Sequence, residues 1–315
     1  MRETIEHLSE IQKKLKIIGP IYFAVLILGV GLTIFRQQIP GAVITGAALL
    51  FYFFWLRKQF RGYSDEVAKA NILNGLIPDL KSPAYLGREG LTGKELKEMA
   101  VFPVHLNNHP LLLRQGFEGE KDGMTIRGWE STSHYARSPR RTDYAFLSGT
   151  LMTASYDQAL PEHSDWVAIK RDLVASGVLE AFFREEGYQE IQTEDSKFDQ
   201  NFAVGIKNGG VYPARMIPRI AGITARLENI SVIRCSSDWA AVYLDRCFYT
   251  VDVKAGDLPT EEQLKKNLLP ERDDLWELFA FMRKKPSGAT MPDEGQTDPV
   301  ENAQSNEESY SDAFT

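Results

Sequence analysis

The side chains best suited to metal or acid–base chemistry are five histidines, and two of them, His105 and His109, stand four residues apart. On a helix that spacing would put both imidazoles on one face, where they could share a divalent metal. The intervening Leu106-Asn107-Asn108 and the following Pro110 read as a loop, which removes the shared face. The acid pairs Glu185-Glu186 and Asp273-Asp274 adjoin helical patterns and read as solvated faces rather than as carboxylates converging on a substrate. The chain contains no G-x-x-x-x-G-K-[ST], no G-x-G-x-x-G after a strand, no G-x-S-x-G and no H-E-x-x-H. No catalytic, cofactor-binding or metal-ligating residue is therefore expected.

One basic run invites a different chemistry. Arg137, Arg140 and Arg141 flank Ser138-Pro139 in a stretch that reads as a loop between strands. They are candidates for contact with anionic lipid headgroups or with an acidic partner segment, the chain's own tail included. A plain solvated loop between strands is the simpler account of them. Trp129 and Trp239 lie near strand turns and read as core or edge packing, and Asn229-Ile230-Ser231 as a glycosylation acceptor that a cytosolic domain would not use. Cys235 and Cys247 are too few for a disulfide framework and read as free thiols in a reducing compartment.

The elements that must position these residues begin with two uncharged apolar runs, Ile17 to Phe35 and Ile39 to Leu56, separated by Arg36-Gln37-Gln38. Each is long enough as a helix to cross a hydrocarbon core of about 30 Å. The mean hydropathy of the whole chain is -0.28, so membrane character is local. Together the runs predict a transmembrane hairpin. Gly29, Gly31, Ala42 and Gly46 are the small residues expected at its helix–helix contact. Arg2, Lys13, Lys14 and Lys16 precede the hairpin and Arg57, Lys58 and Arg61 follow it, against Arg36 alone in the turn. The positive-inside rule then puts both termini in the cytoplasm.

Five segments are expected: an amphipathic helix over 1–16, the hairpin over 17–56, a helical connector over 57–103, a soluble α+β domain over 104–285 and a disordered acidic tail over 286–315. Ile5, Leu8, Ile11 and Leu15 carry the first at helical spacing. The second span is expected to run on as helix past Ala70 and to end before Pro78 or Pro83, with a further helix from Thr92. Strands are expected around a hairpin turning at Lys121-Asp122-Gly123, over 142–157, over 165–172, near Tyr188–Gln192 and in a last hairpin turning at Ser237-Asp238. Helices are expected over 173–186, over 212–228 and, capped by Thr260, over 261–283. Strands and helices do not alternate regularly, which favours a mixed, mainly antiparallel α+β fold. The tail holds seven of the chain's 43 acids and none of its 36 bases, so residues 1–285 are electrically balanced. A net charge of -7 argues against a general nucleic-acid binder.

The order of these features resembles that of the bacterial membrane proteins grouped as domain of unknown function 3137. The likeness rests on the hairpin, the strand pair around Gly116–Tyr135 and Phe146-Leu147-Ser148-Gly149-Thr150-Leu151. It continues through Phe198-Asp199-Gln200-Asn201-Phe202-Ala203-Val204, Ala214-Arg215-Met216-Ile217-Pro218 and the Val242-Tyr243-Leu244 strand. The resemblance implies a bacterial inner-membrane protein with a cytosolic domain and brings no catalytic residues. The expected function is a membrane-anchored binding or scaffold module that contacts lipid through the hairpin and a protein partner of unknown identity. A membrane-face enzyme and a subunit of a transport or envelope complex are the alternatives. Oligomeric state is left open.

Overall fold

The architecture is that of a computed structural model, which describes residues 2–35, 38–87, 91, 93–99, 101, 111–133, 148–157, 165–173, 176–207, 217–227, 229–248, 257–266 and 269–283. The expected acidic tail, His105, His109, His134, His163 and the run Arg137, Arg140 and Arg141 lie outside these residues.

The chain opens with α1 (Arg2–Ile34), a single helix of 33 residues that continues through Pro20. At the helical rise it is about 50 Å long. The separate amphipathic helix expected over 1–16 is thus the first half of a longer rod. A repeat explains the continuity: Leu8, Leu15, Tyr22 and Gly29 are buried and recur every seven residues, the seam of a coiled coil. That seam faces one partner along the whole length, so packing holds the rod straight where proline alone would favour a break.

The partner is a second rod, α2 (Gln38–Phe51), a π turn (Tyr52–Leu56), α3 (Arg57–Asn71) and another π turn (Ile72–Leu76). It ends just before Pro78, as the proline pattern predicts. The two rods are long and apolar enough to cross a membrane, and only 11% and 17% of their apolar windows are buried within the protein.

The sheet domain follows. Among the described residues nine strands lie in the order β1-β2-β3-β4-β9-β8-β5-β7-β6, with every neighbouring pair antiparallel. They are β1 (Lys81–Gly87), β2 (Leu111–Lys121), β3 (Met124–Ser133), β4 (Gly149–Tyr156), β5 (Trp166–Lys170), β6 (Tyr188–Ile191), β7 (Phe202–Lys207), β8 (Ile230–Cys235) and β9 (Trp239–Leu244). The fold is α+β, as the irregular element order suggests. The β2–β3 hairpin turns at Asp122 and Gly123, whose φ angles are +51° and +71°, the left-handed pair that a two-residue turn of this kind demands.

The helices are α4 (Gly93–Glu98), α5 (Ser176–Glu186), α6 (Ser196–Asn201), α7 (Ile217–Thr224), α8 (Glu261–Lys265) and α9 (Arg272–Met282). Both sheet faces are covered. Ile126, Met152, Trp166, Val204, Ile233 and Val242 meet the second rod's end, α7 and α9 on one side. Trp129, Leu151, Val167, Ile169, Val232 and Tyr243 meet α4 and α5 on the other. Burial on both faces explains why β5, β7, β8 and β9 are runs of buried residues rather than alternating ones.

Three expectations need correcting. The segment expected as a helical connector contains β1, an edge strand in which Pro83 lacks a donor. The closing helix is two helices, because Pro270 intervenes. Thr260 does cap the first of them, in a full capping box with Gln263. The helix expected over 212–228 is described only as α7, eight residues long.

Candidate functional site

Small residues bring the two rods together at their apolar ends. A Cβ on Gly29 would lie 2.6 Å from Thr45 Oγ1 and 2.9 Å from Thr45 N, and one on Gly41 would strike Thr33 and the Gly29 carbonyl. Lower down, Tyr22 stacks on Tyr52, and Leu15, Leu26, Ala48, Leu56 and Tyr63 close the seam. Thr33 opposite Gly41, Gly29 opposite Thr45 and Tyr22 opposite Tyr52 keep one register, each step along one rod matched by an equal step back along the other.

Of the small residues singled out in the sequence, Gly29 lies in this contact. Gly31 and Gly46 do not touch the partner, since a Cβ on either would meet nothing within 4 Å, and Ala42 is exposed. Gly41 was legible in retrospect: Gly41, Thr45 and Ala48 repeat small residues at the spacing of one helix face.

The rods are longer than a bilayer is thick. Beyond the apolar runs, the first half of α1 and all of α3 form a paired stalk that leads to the sheet. At its far end the stalk is clamped. Asn71, fully buried, donates through its amide nitrogen to the Gln263 carbonyl at 2.9 Å and the Leu264 carbonyl at 3.1 Å. A Cβ on Gly75 would collide with the Lys266 carbonyl, so only glycine lets α8 approach this closely. Arg272 donates to the Leu76 carbonyl at 2.9 Å and lies 3.5 Å from Asp79, which also accepts from Lys121 at 2.7 Å. Burial alone would raise the Asp79 carboxyl, but the Lys121 hydrogen bond and the charges of Arg272 and Lys121 hold it below its ordinary value. Ile72, Leu76 and Ile77, all fully buried, then join the core cluster of the sheet.

A second polar centre lies at one end of the sheet, where β5, β6, β7, β8 and β9 converge. Arg234 is 3% exposed. Its Nη1 donates to the Trp166 and Cys235 carbonyls and pairs with Asp165 at 2.5 Å. Its guanidinium lies 5.2 Å from the Tyr188 ring and 5.4 Å from the Trp239 ring. The Tyr188 hydroxyl donates to Asp165 at 3.1 Å, and Lys207 lies 3.9 Å from the same carboxylate. Burial raises the Tyr188 hydroxyl pKa despite the nearby Arg234 charge. A buried cation paired and stacked in this way fixes how five strands meet. Sequence reading passed over it because Arg234 stands alone in an apolar strand.

A groove of about 510 Å³ runs between α6 and α7, floored by Phe198, Phe202, Leu227 and Ile230. Its polar atoms are largely committed: Asp195 accepts from the Lys197 and Phe198 amides, Asn201 donates to the Lys197 carbonyl, and Thr224 donates to the Ala221 carbonyl. Lys170, Asp195 and Lys197 also line it, so the groove joins an apolar floor to charged walls. Among the described residues no cluster of three or more His, Cys, Asp or Glu could hold a metal. His7 is exposed on α1. Asp274 pairs with Arg226 at 2.8 Å, Trp129 is core and both cysteines are free.

No protein-family model, curated protein or solved structure matches this chain.

Proposed function

We propose that the chain is a membrane-anchored binding or scaffold module of the bacterial inner membrane, with its sheet domain and both termini in the cytoplasm. The same reading places it with the proteins of domain of unknown function 3137. The observation that carries the proposal is the join between the rods and the sheet. The apolar segments run without a break into the stalk, and the stalk ends inside the core at Ile72, Leu76 and Ile77. A tether needs only a flexible linker, whereas a helical pair clamped into a core holds a surface at fixed height and orientation over a bilayer.

A membrane-face enzyme is the second reading, and the groove's size, within the range of small-molecule sites, is the observation in its favour. A protein in which neither intact nor tail-deleted chains recover any partner from cells would count heavily against the scaffold reading.

Orientation is tested by replacing both cysteines with serine, introducing Ser305→Cys and applying a membrane-impermeant maleimide to cells with an opened outer layer. Labelling only after the inner membrane is broken supports a cytoplasmic domain. Full labelling of intact inner membranes overturns it. Recovery of the chain in the soluble fraction after cell breakage would overturn the anchor itself.

A further inference from the structure

We infer that the foot of the stalk is a binding collar for anionic phospholipid headgroups, built from Lys13, Lys14 and Lys16 of α1 and Arg57, Lys58 and Arg61 of α3. The inference rests on the membrane-anchor reading and adds to it a lipid class and a set of residues.

Three observations converge. First, all six side chains are exposed and none takes part in an ion pair among the described residues; the nearest stalk pair is Lys69 with Glu66, further from the apolar segments. Second, the register of the rods brings the two groups to one level. Continued downward from Tyr22 and Tyr52, it sets Lys16 beside the height of Lys58 and Lys13 beside that of Arg61. Third, charge is sorted by height. The six cations sit within about two turns of the apolar runs, while Glu3, Glu6, Glu10, Asp65 and Glu66 all lie on the side away from them.

Immediately beneath the cations, Phe53 and Phe54 are exposed apolar residues and Trp55 is partly exposed; tryptophan is an amphipathic residue that settles at headgroup depth. A ring of unpaired cations at that depth meets phosphodiester monoanions, and Arg57 and Arg61, one turn apart, can each offer a forked donor pair to a phosphate. Opposite charges this close to the surface favour an anionic over a zwitterionic headgroup by about fivefold per cation. The acids set further out leave that attraction uncancelled.

The test uses the full chain reconstituted in phosphatidylcholine vesicles in which a fixed mole fraction of lipid carries brominated acyl chains. Trp55 is the tryptophan beside the hydrocarbon, so its quenching reports which lipids stand next to the collar, and a Trp55→Phe protein supplies the background. Brominated phosphatidylglycerol is expected to quench Trp55 several-fold more than brominated phosphatidylcholine at the same mole fraction. The excess should shrink at 1 M salt and vanish when all six cations are changed to glutamine. Lys13→Gln, Lys14→Gln and Lys16→Gln together, confined to exposed positions of one helix, should remove about half of it. Equal quenching by the two lipids, with the chain inserted, overturns the collar and leaves the anchor standing. No quenching by either lipid overturns both.

Discussion

Tyr22 of α1 stacks on Tyr52 of the second rod with ring centroids 5.7 Å apart and planes 28° from parallel, and this pair divides the helical hairpin into two kinds of contact. Toward the tip the facing residues are Gly29, Thr33, Gly41 and Thr45, and backbones nearly touch. Toward the sheet they are Leu15, Leu56 and Tyr63, and side chains interlock. On the membrane-anchor proposal the tip lies in lipid, which supplies no hydrophobic drive between helices, so close backbone approach must hold it. In water the larger side chains gain from burial.

Gly29→Val and Gly41→Val should therefore each loosen the tip, at a cost of about 1–3 kcal/mol for overpacking. Gly31→Ala and Gly46→Ala should change stability little, because a Cβ there meets nothing. Thermal midpoints in detergent for the four variants decide the matter, and equal losses at all four would contradict the observed contact.

Asn71→Ala should open the clamp. It leaves the Gln263 and Leu264 carbonyls without their buried donor, a loss of about 1–3 kcal/mol. Trypsin should then cut sooner at Lys265 or Lys266 than in the parent chain. Unchanged cleavage would mean that α8 is held elsewhere.

Asp165→Asn should be among the most damaging single changes in the sheet. It strands the buried Arg234 cation, and breaking such a pair costs about 3–5 kcal/mol. Adding Arg234→Met should recover much of that loss, since the stacked aromatic rings can pack on an apolar chain. Denaturant midpoints of the single and double variants test this, and a double variant worse than Asp165→Asn alone would refute it.

Burial pushes the Cys235 thiol up to about 12, and burial followed by the nearby Glu130 carboxylate does the same to Cys247. Because each folded value exceeds the unfolded one, the neutral thiols contribute stability that is fully present below the unfolded pKa near 9 and is lost as pH rises toward about 12. Native protein at pH 8 should resist iodoacetamide at both positions, and Cys235→Ala should flatten the fall in stability between pH 9 and 12. Rapid alkylation of Cys235 in the native state would argue against its burial.

Legibility in the sequence followed the strength of local signals. Asp122-Gly123 between two long extended runs could be little else than a hairpin turn, and it is one. Thr260 with Gln263 announced a cap, and Pro78 an end to the second rod. Misreadings arose where tertiary packing outweighs a local rule. The change from polar to apolar residues at Ile17 suggested a boundary, but a seam of four residues spaced by seven holds α1 in one piece. Phe202–Lys207 is too short and too continuously apolar to declare itself a strand, and its identity comes from pairing with β5 and β6. Of the candidate contacts, the glycines had a readable spacing, yet which side of each helix faced its partner depended on a register that only the folded pair sets. Arg234 and Asp165 lie 69 positions apart, and nothing local links them.

The two π turns have a consequence for how the parts are aimed. Each holds one residue more than an ordinary helical turn, so the residues after it fall roughly 100° out of phase with the pattern that an unbroken α-helix would carry. The first, Tyr52–Leu56, lies between the apolar segment and the stalk; the second, Ile72–Leu76, between the stalk and the sheet. They act as two phase shifts in the residue pattern, set in series. Removing a single residue from either should close that turn to ordinary α geometry and leave the aim of the sheet nearly unchanged, whereas removing one from the regular helix between them should swing the sheet by about 100°. Which flank of the domain points toward its neighbours is thereby written into the count of residues along one rod.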